Sequence, residues 1–122
     1  MVKVIISVGS NCGDRRRKVE EALKWLKTIL IQTRESEIYE TPCAANSGRP
    51  YMNAVIEGYY QGQGYALDGC LKEKEKEMGR TSECREKGDV PVDIDLVVCD
   101  GNIFKPWDYR QKFFRIGLDR LR

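Results

Sequence analysis

The sequence predicts an α+β sandwich, a sheet of about four antiparallel strands with two helices on one face. Three observations predict it. Stretches of period two and period 3.6 follow one another in the order strand, helix, strand, strand, helix, strand. Each helical stretch carries one apolar stripe, so each has one side to bury and one to leave wet. The last strand sets two aspartates on the face opposite its apolar residues.

Val2, Val4, Ile6 and Val8 alternate with their neighbours, which makes Val2 to Val8 the first strand. Gly9-Ser10-Asn11-Cys12-Gly13 is a turn, and Asp14 after it is a helix N-cap. Val19, Ala22, Leu23, Leu26, Ile29 and Leu30 recur at helical spacing, so residues 14–31 form an amphipathic helix. Thr33 to Tyr39 is strand-like and Thr41-Pro42 ends it; Cys43 to Pro50 is a loop by composition. Tyr51 to Tyr60 is the next strand, with Met52, Ala54 and Ile56 alternating against Asn53, Val55 and Glu57. After the turn Gln61 to Gly64, residues 65–78 form the second helix, its buried stripe being Leu67, Cys70, Leu71 and Met78. Lys72 to Glu77 alternates charge and mostly faces solvent, and Gly79 stops the helix. Arg80 to Pro91 is polar and charged, hence a flexible loop. Val92 to Asp100 is the last strand: Val92, Ile94, Leu96 and Val98 share one face, Asp93 and Asp95 the other, and Gly101-Asn102 closes it. Residues 103–122 are rich in apolar and aromatic side chains (Phe104, Trp107, Tyr109, Phe113, Phe114, Ile116, Leu118). These have to cover something, and a short helix near the end would serve. The economical packing of βαββαβ is ferredoxin-like, with residues 1–122 as one domain and a short, atypical segment after 103. The aspartates then sit on the side the helices leave uncovered, or at its edge.

Composition removes whole classes of function. The chain of 122 residues is 41% hydrophobic and 33% charged with a net charge of +2, a balance that does not argue for nucleic acid. An RNA-binding module of this topology would want exposed aromatics inside a Lys/Arg-Gly-Phe-type strand, and none is present. No apolar run approaches the ~20 residues of a membrane span, and Met1 to Ile6 runs straight into a strand, unlike a signal peptide. Five scattered cysteines (Cys12, Cys43, Cys70, Cys84, Cys99) with no Cys-x-x-Cys indicate a reducing cytoplasm, without a disulfide framework or zinc. The chain has no histidine, so histidine acid–base and histidine–metal chemistry are excluded.

The aspartates carry the positive signal. Two carboxylates side by side on a rigid strand repel each other, and a cation between or above them removes the repulsion. Hard oxygen ligands suit magnesium, and magnesium suits phosphate substrates. The plainer reading is that both face water at a sheet surface.

Three stretches together resemble the 6-hydroxymethyl-7,8-dihydropterin pyrophosphokinases of the folate pathway. They are Val8-Gly9-Ser10-Asn11-Cys12-Gly13-Asp14-Arg15; Ser36-Glu37-Ile38-Tyr39-Glu40-Thr41-Pro42 followed by Arg49-Pro50-Tyr51-Met52-Asn53-Ala54-Val55; and Asp93-Ile94-Asp95-Leu96. The resemblance covers roughly residues 3–101 and implies pyrophosphoryl transfer: the pterin hydroxymethyl oxygen attacks the β-phosphorus of ATP, AMP leaves, and two magnesium ions assist. It implies Asp93 and Asp95 as metal ligands and, with Arg80, as the catalytic set. It places Thr41, Pro42, Ala44, Tyr51, Asn53 and Phe113 (or Phe114 in its stead) at the pterin. Glu75, Arg80, Arg85 and the main chain of Leu96 fall at ATP, with Lys87 a further loop cation. ATP and a reduced pterin are the implied partners, with no nucleic acid and no membrane. The chain also departs from the family. The loop before the aspartates usually carries an arginine where Val90 stands, and Asp89 adds negative charge beside it. A histidine-tyrosine pair further on is replaced by Asp108-Tyr109, without the histidine. These departures imply slower turnover. They keep open a second reading, a non-catalytic relative that binds pterin, nucleotide or a protein partner.

Overall fold

The computed structural model describes residues 1–44 and 48–122. The elements are β1 (Val2–Ser10), α1 (Arg15–Ile29), β2 (Ile31–Glu35), β3 (Tyr39–Thr41), β4 (Tyr51–Tyr60), α2 (Gly64–Glu77), α3 (Ser82–Lys87), β5 (Asp93–Cys99), β6 (Asn102–Ile103), α4 (Pro106–Arg110) and α5 (Lys112–Asp119). The strands form one open antiparallel sheet of six in the order β2-β4-β1-β5-β6, with β3 also pairing β4. The expected four strands are thus too few.

One extra strand arises where the expected Thr33–Tyr39 strand breaks. Ser36 accepts the Val55 N–H on its hydroxyl at 3.0 Å and gives its own N–H to Val55 O at 2.9 Å. A side chain substitutes for a rung of the ladder there, and β2 and β3 separate around it. The other is β6, a two-residue return that pairs Ile103 with Val98.

The apolar stripe of α1 (Val19, Ala22, Leu23, Leu26) and that of α2 (Leu67, Leu71) pack on Val4, Ile6, Val8, Ala54, Ile56, Ile94 and Leu96 in one cluster. Asp14 caps α1, its carboxylate accepting the Arg17 N–H at 3.2 Å. Cys70, expected in the α2 stripe, is exposed. Of the expected loop over residues 80–91, residues 82–87 are helical: Thr81 caps α3 and Gly88, at φ 72°, ends it in the left-handed conformation. The loop expected over Cys43 to Pro50 is described only at its ends, residues 45–47 lying outside the described residues.

The second face of the sheet is not left open. Phe114 of α5 packs on Val55 and Val97, with Ile5, Val98, Tyr109, Phe113 and Leu118 around them. The segment after 103 therefore supplies two helices, not one, and they lie on the aspartate side. Val98 departs from the expected alternation for a definite reason. Leu96 pairs with Ile6 and Val98 with Ile5, so Val97 has no partner on β1 and the strand bulges there. Past the bulge the faces exchange: Val98 joins the second cluster and Cys99 the first.

Gly117 lets α5 lie flat, since a Cβ there would come 2.8 Å from Val55 Cβ and closer still to Tyr39. The Tyr39 hydroxyl donates to the main-chain oxygen of Phe113 and ties β3 to α5. Burial pushes the Tyr39 phenol up to about 12. A folded pKa above the unfolded value of about 10 contributes stability that is whole below pH ~10 and is lost as pH rises towards 12. Tyr39 is expected to ionise late, near pH 12, in an absorbance titration, and base unfolding is expected to accompany it. A late-ionising fraction that survives in Tyr39→Phe would show this to be wrong.

Candidate active site

The second face carries a row of positions that crosses four strands. Tyr39 on β3 pairs with Asn53 on β4, Asn53 with Gly9 on β1, and Gly9 with Asp93 on β5. In the next row Val55 pairs with Ser7, and Ser7 with Asp95. Sheet register alone thus brings residues more than 40 positions apart into one line.

Two cavities meet at Asp93. The first, of about 170 Å³, is an aromatic slot lined by Gly9, Thr41, Pro42, Cys43, Ala44, Tyr51, Asn53, Trp107, Asp108 and Phe113. Gly9 gives it depth, because a Cβ there would stand 3.3 Å from Asn53 Oδ1 and 3.4 Å from the Tyr51 ring. Asn53 is 3% exposed, and its amide nitrogen is spent on Thr41 Oγ1 at 2.7 Å. Its Oδ1 is left as the acceptor in the slot. Phe113 contributes its ring, 6.1 Å from that of Trp107, whereas Phe114 is fully buried in the second cluster.

The second cavity is an open trough of about 640 Å³ lined by Lys72, Lys76, Arg80, Arg85 and Lys105 against Glu75, Asp93, Asp95 and Asp108. Arg80 donates to Asp93 Oδ1 at 2.9 Å and lies 3.3 Å from Glu75. Lys72 and Lys105 both reach one oxygen, Asp95 Oδ1, at 3.0 and 2.7 Å. Burial weighs against charge on either lysine. Asp95 outweighs it, together with Glu75 at Lys72, so both pKa values rise and both groups are ammonium. Burial and the charge of Asp95 push Asp93 up. At Asp95 burial is outweighed by the hydrogen bond from Asp93 and by Lys72 and Lys105, and its pKa falls.

One oxygen from each of Glu75, Asp93 and Asp95 lies within 4.8 Å of the others. The donor set is all oxygen and hard, which fits magnesium. Side-chain ammonium groups already gather at Asp95, so the site calls for positive charge. Glu75 is less free to act as a ligand: its Oε2 accepts the Ile94 N–H at 2.7 Å and Lys72 at 3.0 Å, which fixes β5 beneath the aspartates.

Most residues singled out in the sequence come to these two cavities: Thr41, Pro42, Ala44, Tyr51, Asn53 and Phe113 to the slot, Glu75, Arg80, Arg85 and Asp95 to the trough, Asp93 to both. Leu96 does not, its side chain being in the core, and Lys87 lines neither cavity. Asp89 is paired with Arg49, so its charge is answered. Val90 is held by its main chain, its N–H on Asn11 Oδ1 at 2.6 Å and its oxygen accepting the Asn11 N–H at 3.0 Å. Asn11 thereby clips the loop to the end of β1, which runs through Gly9 and Ser10 where the sequence predicts a turn. Sequence reasoning missed Lys72, Lys105 and Trp107. Lys72 was hidden in a run of alternating charge, and Trp107 among aromatics expected to be core.

Comparison with known proteins fits this geometry. The sequence matches the 7,8-dihydro-6-hydroxymethylpterin-pyrophosphokinase (HPPK) family over residues 5–121. It is 37% identical over 97 residues to a folate synthesis bifunctional protein of Arabidopsis thaliana, covering 78% of this chain and 20% of that one. It is 32% identical over 102 residues to the 2-amino-4-hydroxy-6-hydroxymethyldihydropteridine pyrophosphokinase of Porphyromonas gingivalis, covering 80% and 69%. To the enzyme of that name from Mycobacterium leprae it is 32% identical over 101 residues, covering 81% and 51%. The chain thus spans about a fifth of the plant protein and half to two thirds of the bacterial ones. No helix among the described residues is long and apolar enough to cross a membrane. With residues 5–121 matched, nearly its whole length, the chain belongs to the 7,8-dihydro-6-hydroxymethylpterin-pyrophosphokinase family.

Proposed function

We propose that the chain, as one ferredoxin-like domain, transfers the pyrophosphoryl group of ATP to 6-hydroxymethyl-7,8-dihydropterin. The observation that carries this is the shared wall: Asp93 borders both an aromatic slot sized for a bicyclic ring and a trough lined by cations. A pterin in the slot stacks between Tyr51 and Phe113 and meets Asn53 Oδ1, with Thr41, Pro42 and Ala44 along its edge. The triphosphate lies in the trough against Arg80 and Arg85, whose planar guanidinium groups can each grip two phosphate oxygens. The adenine meets the main chain of Leu96, and Glu75 holds Arg80 in place. The hydroxymethyl oxygen then faces the β-phosphorus. Its bond to that phosphorus forms as the bond from the β-phosphorus to the α–β bridging oxygen breaks, the hydroxyl proton passes to water, and AMP leaves with the bridging oxygen. Asp93 and Asp95 are the residues that would hold magnesium, two ions with ATP, which supplies neutralisation of the phosphate charge.

The test is AMP release from ATP, magnesium and 6-hydroxymethyl-7,8-dihydropterin, with AMP and pterin diphosphate expected in equal amounts. No AMP at enzyme concentrations near those of the substrates would overturn the transferase reading. Retained binding of pterin alone would then favour the non-catalytic alternative.

A further inference from the structure

Position 90 holds a valine with its main chain clipped to Asn11, and it does not line the trough. Across the trough the opposite excess appears. Two ammonium groups share one oxygen, Asp95 Oδ1, where one would neutralise it, and Lys72 and Lys105 repel each other there. Lys105 comes from the segment between β6 and α4 and is about a third exposed, with the trough in front of it. One helical turn before Lys72 on α2 stands Asp68. Its Oδ1 is the one buried side-chain oxygen or nitrogen among the described residues without a hydrogen-bond partner, and its charge acts on Lys105. An acid four residues ahead of a lysine on a helix is the favourable order for that pair. Two lysines thus crowd Asp95 while the Asp68 carboxylate has an oxygen without a partner.

We propose that Lys105 is the phosphate-binding cation that replaces the arginine absent at position 90, and that Lys72 and Asp68 position it. With a divalent cation at Asp95, both ammonium groups give up that oxygen. Lys72 passes towards Asp68 and Lys105 turns to the phosphate chain. The inference rests on the pyrophosphokinase reading and adds to it a residue outside the resemblance.

The experiment measures two affinities of the full chain. Calorimetry follows the magnesium complex of α,β-methylene ATP, and manganese resonance follows Mn2+ alone. Lys105→Met is expected to weaken the nucleotide about 10- to 100-fold, the usual worth of one charge-assisted contact. The same change is expected to tighten Mn2+, because a rival for Asp95 is gone. Lys105→Arg should restore nucleotide affinity to within about threefold, since it returns the charge. Opposite signs for the two ligands are the signature. Lys105→Met that weakens both together would make the lysine a structural prop for Asp95 and overturn the proposal. So would a nucleotide affinity unchanged within about twofold. A wild-type chain that binds no nucleotide complex overturns the pyrophosphokinase reading before the lysine is in question.

Discussion

Asp95→Asn is expected to lower AMP release by about 10²- to 10³-fold while leaving the thermal midpoint almost in place. The two halves of that expectation have separate causes. Asparagine keeps the shape and the accepting oxygen but removes the charge on which a hard cation and two lysines converge. In phosphoryl-type transfer little beyond positioning and charge neutralisation is required of the protein, so a lost charge at this point falls on the chemical step. Stability behaves otherwise. The partners left behind, Lys72 and Lys105, have side chains 37% and 33% exposed, so water takes them back. Partly exposed pairs are worth only about 1 kcal/mol or less. AMP formation under saturating substrates, set beside a melting curve, checks both halves. Activity within tenfold of wild type would remove Asp95 from the reaction.

Phe114→Ala is expected to cost about 3–5 kcal/mol, the range for emptying a buried phenylalanine site. Phe114 is fully buried and is the largest side chain between α5 and the sheet, on Val55 and Val97. Its loss also reaches function through its neighbours. Phe113, next in sequence, is a wall of the aromatic slot and the acceptor for Tyr39. A loosened α5 should weaken pterin binding and let Tyr39 ionise nearer its ordinary range. Denaturant unfolding, pterin calorimetry and the absorbance titration read the three effects. A cost below about 1 kcal/mol would mean that the second face is held by something other than this ring.

How much of this was legible in the sequence depends on range. The periods of β1, α1, α2 and β4 are local, and local chemistry set their ends: Asp14 caps α1, and Gly79 follows α2. The aspartate face could be read because strand alternation holds as far as Leu96. The break at Ser36 could not, because it depends on a hydroxyl meeting Val55, 19 residues away. The short α3 announces itself only by Thr81 and Gly88 in an otherwise charged run. The segment after 103 was read correctly as covering something, but which face it covers is a tertiary choice. Thr41, Asn53 and Asp93, singled out by motif, line one cavity. Lys72 and Lys105 escaped because a lysine on a polar surface and a lysine at Asp95 read alike until the strands are paired.

The bulge at Val97 has a consequence for how β5 tolerates change. The strand answers to two neighbours at once, with Asp93 and Asp95 held opposite Gly9 and Ser7 at one end and Val98 and Cys99 held opposite Ile5 and Val4 at the other. The unpaired residue absorbs the mismatch between those two alignments, much as an expansion joint does. Deleting Val97 would close the bulge and keep both alignments, since Leu96 and Val98 already face the adjacent Ile6 and Ile5. A residue lost or gained between Asp93 and Leu96 would instead force a slip. A slip at the aspartate end turns both carboxylates towards Ile6 and Val8, into the helix-covered core. Substitutions along β5 should therefore be judged by size, whereas a change in length between Asp93 and Leu96 falls on the site itself.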